Sequence, residues 1–191
     1  YLLCTDGVAE FDLATQRFKT LLQGNVDAIY FNEKLYIGKR EEVFVYNEST
    51  GNFDLFYHLA GKNITLSCLH LDKNKNLWLG TTSNGIYCLS EDKNLSRPVT
   101  KGNITSIYED SSNELWIGSW EEGLYRVKTD GSIENLRHNP MNTNSLCSNF
   151  VRSCCEDNSG DLWIGTFNGL NRYDRETGKF HLYTANGNSP D

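Results

Sequence analysis

One short phrase recurs along this chain in nearly the same letters. It reads Leu77-Trp78-Leu79-Gly80-Thr81, then Leu115-Trp116-Ile117-Gly118-Ser119, then Leu162-Trp163-Ile164-Gly165-Thr166. Leu35-Tyr36-Ile37-Gly38-Lys39 is a fourth version with tyrosine for tryptophan, and Leu2-Leu3-Cys4-Thr5 is the tail of a fifth. From Tyr36 the aromatic position recurs after 42, 38 and 47 residues. A period near 40 around a tryptophan in a short apolar run restricts the chain to propeller blades, solenoids or related arrays. Such a unit buries its own apolar face poorly, so stability must come from stacking its neighbours.

The residues around the phrase narrow this choice. Six positions before each tryptophan stands an aspartate, Asp72, Asp110 or Asp157, followed by a short polar stretch such as Ser111-Ser112-Asn113-Glu114. An aspartate opening such a stretch caps a turn by accepting backbone N–H groups. An alternating run precedes it, clearest in Ile104-Thr105-Ser106-Ile107-Tyr108-Glu109. After the phrase come a glycine and a second alternating run, as in Gly123-Leu124-Tyr125-Arg126-Val127. A further turn, Asp174-Arg175-Glu176-Thr177-Gly178, leads to an aromatic segment, Phe180-His181-Leu182-Tyr183. Related turns occur at Asn47 and Asp12. Four strands joined by three turns make an antiparallel meander, and meanders in tandem are β-propeller blades. No window sustains an apolar period of 3.6, so no helix is expected.

The expected fold is therefore all-β, with blades of four antiparallel strands at about 1–22, 23–60, 61–100, 101–137 and 138–185. The first blade lacks its first strand and four complete blades follow, about four and a half in all. This points to part of a larger propeller; a five-bladed ring with one three-stranded blade is the alternative. Trp78, Trp116 and Trp163 are expected at equivalent buried positions, since each aromatic ring brings roughly 150–250 Å² to a blade contact. The glycine two residues later is expected to let neighbouring backbones approach. Apolar outer faces on the end blades call for cover by further blades or by a second copy of the chain.

Composition excludes several functions. Lys and Arg total 18 against 25 Asp and Glu, a net charge of −7 without a basic cluster, which disfavours nucleic-acid binding. No stretch approaches the roughly 20 apolar residues that span a membrane, so no membrane contact is expected of these blades. Six cysteines and four histidines form no CxxC pair and no metal-ligand spacing, so neither metal nor cofactor is expected. Cys68, Cys88 and Cys154 fall in strands and read as small apolar core residues; Cys154 and Cys155, being adjacent, should point to opposite faces. Three glycosylation sequons begin at Asn63, Asn94 and Asn103.

The stretch Asn144-Ser145-Leu146, Val151-Arg152-Ser153-Cys154-Cys155-Glu156-Asp157, Gly160-Asp161-Leu162-Trp163-Ile164-Gly165-Thr166 and Gly169-Leu170-Asn171-Arg172-Tyr173-Asp174, with His138-Asn139-Pro140 before it, resembles the two-component regulator propeller repeat. The resemblance covers nearly the whole chain, with departures at Tyr36, Lys39-Arg40-Glu41-Glu42, Cys68 and Cys154. It implies a non-catalytic extracytoplasmic sensor in a bacterial hybrid two-component system, with a histidine kinase elsewhere in the full protein. It also implies a periplasmic location, an oligosaccharide or other small ligand, and downstream signalling domains as partners. The motif is structural and carries no catalytic residue.

Two loops per blade reach one end of a propeller: that between strands two and three, and the linker between blades. Four residues after each phrase aromatic stand Arg40, Thr82, Trp120 and Phe167, so this position varies while the core position does not. Trp120 can stack on a sugar while Glu121 and Glu122 accept hydroxyls, with Phe167 and Asn168 in the next loop and Asn149 and Arg152 toward the axis. A packing tryptophan is the other reading of Trp120. The linker 139–148, the longest insertion, is a second place for function. The competing class is a propeller lyase or hydrolase, and the third is an interaction scaffold. His58, His70, His138 and His181 share no register, as a converging acid and base would require. A sialidase needs three channel arginines, for which Arg152 is the only candidate.

Overall fold

The computed structural model describes residues 1–4, 7–59 and 64–184. Asn63 of the first sequon and residues beyond 184 lie outside them. The described residues form five antiparallel sheets in chain order and no helix. The first holds β1 (Leu2–Cys4), β2 (Gly7–Asp12) and β3 (Arg17–Gln23). The second holds β4 (Ala28–Asn32), β5 (Lys34–Lys39), β6 (Glu42–Asn47) and β7 (Asn52–His58). The third is β8 (Leu66–Leu71), β9 (Leu77–Thr81) and β10 (Ile86–Leu89). The fourth is β11 (Ile104–Glu109), β12 (Leu115–Ser119), β13 (Leu124–Val127) and β14 (Ile133–Leu136). The fifth is β15 (Val151–Glu156), β16 (Leu162–Thr166), β17 (Gly169–Asp174) and β18 (Lys179–Tyr183). First strands pack on first strands, β4 on β8, β8 on β11 and β11 on β15. The sheets are thus propeller blades with those strands innermost.

The apolar residues gather between blades. Val8 meets Leu35 and Ile37; Tyr36 and Val43 meet Leu66, Leu77 and Leu79. Trp78 and Ile86 meet Ile104, Leu115 and Ile117; Trp116 and Leu124 meet Val151, Leu162 and Ile164. Because side chains alternate along a strand, the phrase splits cleanly. Its Leu and Ile face the preceding blade, and its aromatic residue and glycine face the following one.

The glycine's role differs from the expected backbone approach. A Cβ on Gly118 would lie 2.5 Å from Ser106 Oγ and 2.8 Å from Val151 Cγ1 of the next blade. Leu66 takes the same seat at Gly38, and Ile104 at Gly80. The glycine makes room for an aliphatic side chain, and Leu66, Ile104 and Val151 are all fully buried.

The aspartates do more than cap. One oxygen of Asp110 accepts the Ser112 and Glu114 N–H groups at 2.9 Å each, and the other accepts the Trp116 indole N–H at 2.7 Å. Asp157 does the same for Ser159, Asp161 and Trp163, the last at 2.7 Å, and Asp72 for Asn76 and Trp78, both at 2.8 Å. Each turn closes with an N–H to the aspartate carbonyl from a residue of positive φ, Lys75, Asn113 or Gly160, the geometry of a type I turn with a bulge. Burial pulls the Asp110 carboxyl upward. The Trp116 indole, the Glu114 N–H and Arg175, 2.8 Å away, outweigh it and hold the group below its ordinary value.

Two expectations need correction. Trp163 occupies the same strand position as Trp78 and Trp116 but is only half-buried. Its face is the one that a following blade covers in the others. The third sheet has three strands, because its outer segment pairs irregularly: Ser96 Oγ and Thr100 Oγ1 accept the Cys88 and Ile86 N–H groups in place of carbonyls, and Pro98 has no N–H to give. The long linker is exposed over residues 139–144 and packs at its end. Leu146 is fully buried, Phe180 N–H bonds Asn144 O and Cys147 N–H bonds the Asn171 side chain.

The cysteines follow their strand positions. Cys68, Cys88 and Cys154 are half-buried at blade contacts, Cys155 is exposed on the other side, and these four and Cys147 are free thiols. Burial pushes the thiols of Cys68 and Cys154 up to about 12 and that of Cys88 up to about 11.

Gly118→Ala should lower stability by roughly 1–3 kcal/mol, the cost of overpacking a filled core; denaturant melts reporting an unchanged midpoint would contradict the seat. Asp110→Asn should cost about 1–3 kcal/mol by leaving a donor facing buried N–H groups. Since the folded carboxyl is depressed, its contribution is present above the unfolded value near 4 and fades as pH falls through the lower folded value. The gap between wild type and Asp110→Asn in melting experiments should therefore close only in acid, below about pH 4.

Candidate functional site

The end of the propeller opposite the Asp-turns, here the upper face, is built from the residue after the phrase glycine. Thr81, Ser119 and Thr166 each donate to the carbonyl of the glycine that ends their loop, Gly85, Gly123 or Gly169, at 2.7–3.1 Å. Each accepts an N–H from within that loop. The next residue's N–H then bonds the linker just before an inner strand: Thr82 to Thr65, Trp120 to Asn103, Phe167 to Phe150. The backbone of this face is fixed by repetition, and its side chains are left free to differ.

A second device sits at the start of the inner strands. Pairing shifts register between Leu66 and Cys68, Ile104 and Ser106, and Val151 and Ser153. Ser67, Thr105 and Arg152 are the bulged residues, and bulges re-aim side chains. Ser67 and Thr105 donate to the carbonyls of Ile104 and Val151 in the next blade, at 2.6 and 2.7 Å. Arg152 turns the other way and lies over the ring of Trp120 in the preceding blade, its guanidinium carbon 4.2 Å from the centroid.

Trp120 is the hub of this region. Phe150 meets it edge to face at 5.5 Å and 79°, and Phe167 meets Phe150 at 6.3 Å and 58°. Phe167 is 71% exposed and Trp120 half-buried. Trp120 also lines a cavity of about 320 Å3 with Thr82, Ser83, Asn103, Glu121 and Glu122. Arg137 pairs with the Glu122 carboxylate and donates to the Glu121 carbonyl at 3.2 Å, so Glu121 keeps its carboxylate for other use. Trp120 thus divides an aromatic and cationic side from a hydroxyl- and carboxylate-lined one.

The structure brings Trp120, Glu121, Arg152 and Phe167 into one neighbourhood, with exposed Asn168 beside Phe167. Asn149 ties the linker to the loop: its side-chain oxygen accepts the His138 N–H at 2.8 Å and its carbonyl the Gly123 N–H. Arg40 stands apart, in a different cavity with Asn25, Asp27 and Phe44. Phe150 was missed because it precedes the inner strand, outside both loop positions compared between blades. The histidines are dispersed. His58 faces Glu41, His70 faces Glu109, His138 bonds the Leu146 carbonyl and His181 faces Asp174.

Three segments, 58–83, 98–121 and 145–168, match the model of the two component regulator propeller. Each runs from a linker through the inner strand, Asp-turn and phrase into the upper loop. No curated protein matches the sequence. Among solved structures, the chain is similar to an extracellular domain assigned to a hybrid two component system from B. thetaiotaomicron: 25% identity, TM-score 0.72, covering 88% of this chain and 24% of that one. It is also similar to a streptogramin B lyase, at 19% identity and TM-score 0.67, covering 85% of this chain and 55% of the other. A virginiamycin B lyase from Staphylococcus aureus aligns at 14% identity and TM-score 0.72, covering 94% and 63%. The chain therefore spans about a quarter of the first and under two thirds of the lyases; the lyases share the fold.

Phe167 and Trp120 should separate in stability measurements. Phe167→Ala should stay within about 0.5 kcal/mol of wild type, as surface changes do. Trp120→Ala should lose at least the roughly 0.5–1.5 kcal/mol of its edge-to-face contact. Equal losses in denaturant titrations would mean that Phe167 is part of the packing.

Proposed function

We propose that this chain, three of whose repeats belong to the two component regulator propeller family, is the ligand-binding part of an extracytoplasmic sensor and that its upper face takes an oligosaccharide. The row of Trp120, Phe150 and Phe167 beside a polar cavity carries this reading. Ring faces stack on the C–H faces of sugars, and Thr82, Ser83, Asn103 and Glu121 offer donors and acceptors for the hydroxyls; aromatic walls with a few placed polar groups are the usual form of a small-ligand site. Thr81, Ser119 and Thr166 hold the loops of this face from beneath. The extracellular domain from B. thetaiotaomicron is similar over most of this chain, which supports an extracytoplasmic place for these blades and a signalling partner in the same protein.

Binding without catalysis is the role proposed here. Acid–base chemistry needs titratable groups converging on the substrate, and the four histidines are dispersed over the fold, none of them lining the cavity beside Trp120.

Calorimetric titration of the chain with oligosaccharides tests this directly. Phe167→Ala should weaken binding by about 2 kcal/mol, as loss of an aromatic anchor does, with its melting curve unchanged. Unaltered affinity in that variant would remove this face as the site. Turnover of a bound oligosaccharide into product would establish an enzyme instead.

A further inference from the structure

Arg152 differs from the other arginines around it. Of the five from Ile104 onward, Arg126 pairs with Glu114, Arg137 with Glu122, Arg172 with Asp161, and Arg175 with Asp110 and Glu156. Arg152 has no carboxylate partner among the described residues and is exposed. The group it meets is the Trp120 ring. In a chain of net charge −7, a guanidinium without an anion is conspicuous, because carboxylates are abundant and Glu121 stands in the adjacent loop.

Its position argues against a packing role. The bulge that carries it holds hydroxyl residues in the two preceding blades, and both use the hydroxyl to tie to the next inner strand. Arginine at this position instead folds back over the indole. Stacking on a π face holds the guanidinium plane while leaving its edge of N–H donors open. That edge is a planar fork that matches two oxygens of a carboxylate, and it also suits a sulfate ester. Beside it run Phe150 and the exposed Phe167.

We infer that the ligand of this face is an acidic glycan, a sugar chain bearing carboxylate or sulfate, and that Arg152 reads its anionic group while the aromatic row carries its rings. This rests on the oligosaccharide reading above and narrows it. A neutral sugar would offer this guanidinium hydroxyl oxygens but no anion to match its charge and fork.

The test uses the whole chain and three tetrasaccharides in calorimetry: galacturonate, its carboxyl-reduced neutral counterpart, and a sulfated galactan. At least one acidic glycan should bind roughly ten- to a hundred-fold more tightly than the neutral one, the worth of hydrogen bonds to a charged group. The preference should shrink as salt is raised, because the arginine is exposed. Arg152→Gln should erase the preference and leave the neutral glycan's affinity in place. Arg152→Lys should keep part of it, having charge without the fork. Which acidic glycan prevails separates carboxylate from sulfate recognition. Equal binding of acidic and neutral glycans, or an acidic preference that survives Arg152→Gln, overturns the inference while leaving the stacking site standing. Failure of all three glycans to bind overturns both.

Discussion

The contact on which this fold turns is the bond between each phrase indole and the aspartate six residues before it. A tryptophan is wanted between blades for its area, but it brings an N–H that costs about 1–3 kcal/mol if buried without a partner. The aspartate supplies that partner with one oxygen and fixes the hairpin turn with the other. One side chain thereby sets the turn, the tryptophan's orientation and the surface offered to the next blade. The second blade lacks this pair. It has Tyr36 for tryptophan, and β4 and β5 close directly through Asn32 and Lys34. The space left beside Tyr36 is a groove of about 350 Å3 floored by Phe56, Leu77 and Leu89.

Blades are also latched at the Asp-turn end. Glu156, just before its aspartate, accepts the Ser111 N–H of the preceding blade at 2.7 Å, and Glu109 reaches Lys73 in the same way at 3.4 Å. Arg175 ties Asp110 to Glu156 across that contact. The polar groups of the lower face are largely committed to one another. The upper face has a fixed backbone and side chains that differ from blade to blade, which is why recognition is proposed there. A rigid frame with variable loops is the usual division of labour in such folds.

The neighbourhood of Trp120 shows how one residue serves both ends. Its backbone N–H holds the loop to the linker, and its ring orders Phe150 and Arg152. The choice between packing and ligand contact is therefore not exclusive. Phe167, with nothing stacked on its outer side, is the freer surface.

The sequence by itself determined the blades. Spacing of the phrase, its aspartate and its alternating strands are local patterns, and strand order, hairpin turns and the core role of Trp78 and Trp116 follow from them. It also marked Trp120 and Phe167, through the position that varies while its neighbours repeat, and Arg152, through its place at the start of a strand toward the axis. Tertiary structure decided what lies across a blade boundary. That the glycine seats an aliphatic side chain of the next blade depends on contacts between distant residues; that the aspartate holds the indole and that Asn149 accepts the His138 N–H depend on how each turn and linker folds back on itself. The bulge is the clearest case. Ser67, Thr105 and Arg152 look like ordinary strand residues, and only the extra residue in the pairing turns Arg152 back onto Trp120. Period and alternation fix which face of a strand a residue belongs to; what meets it there is set by how the sheets stack.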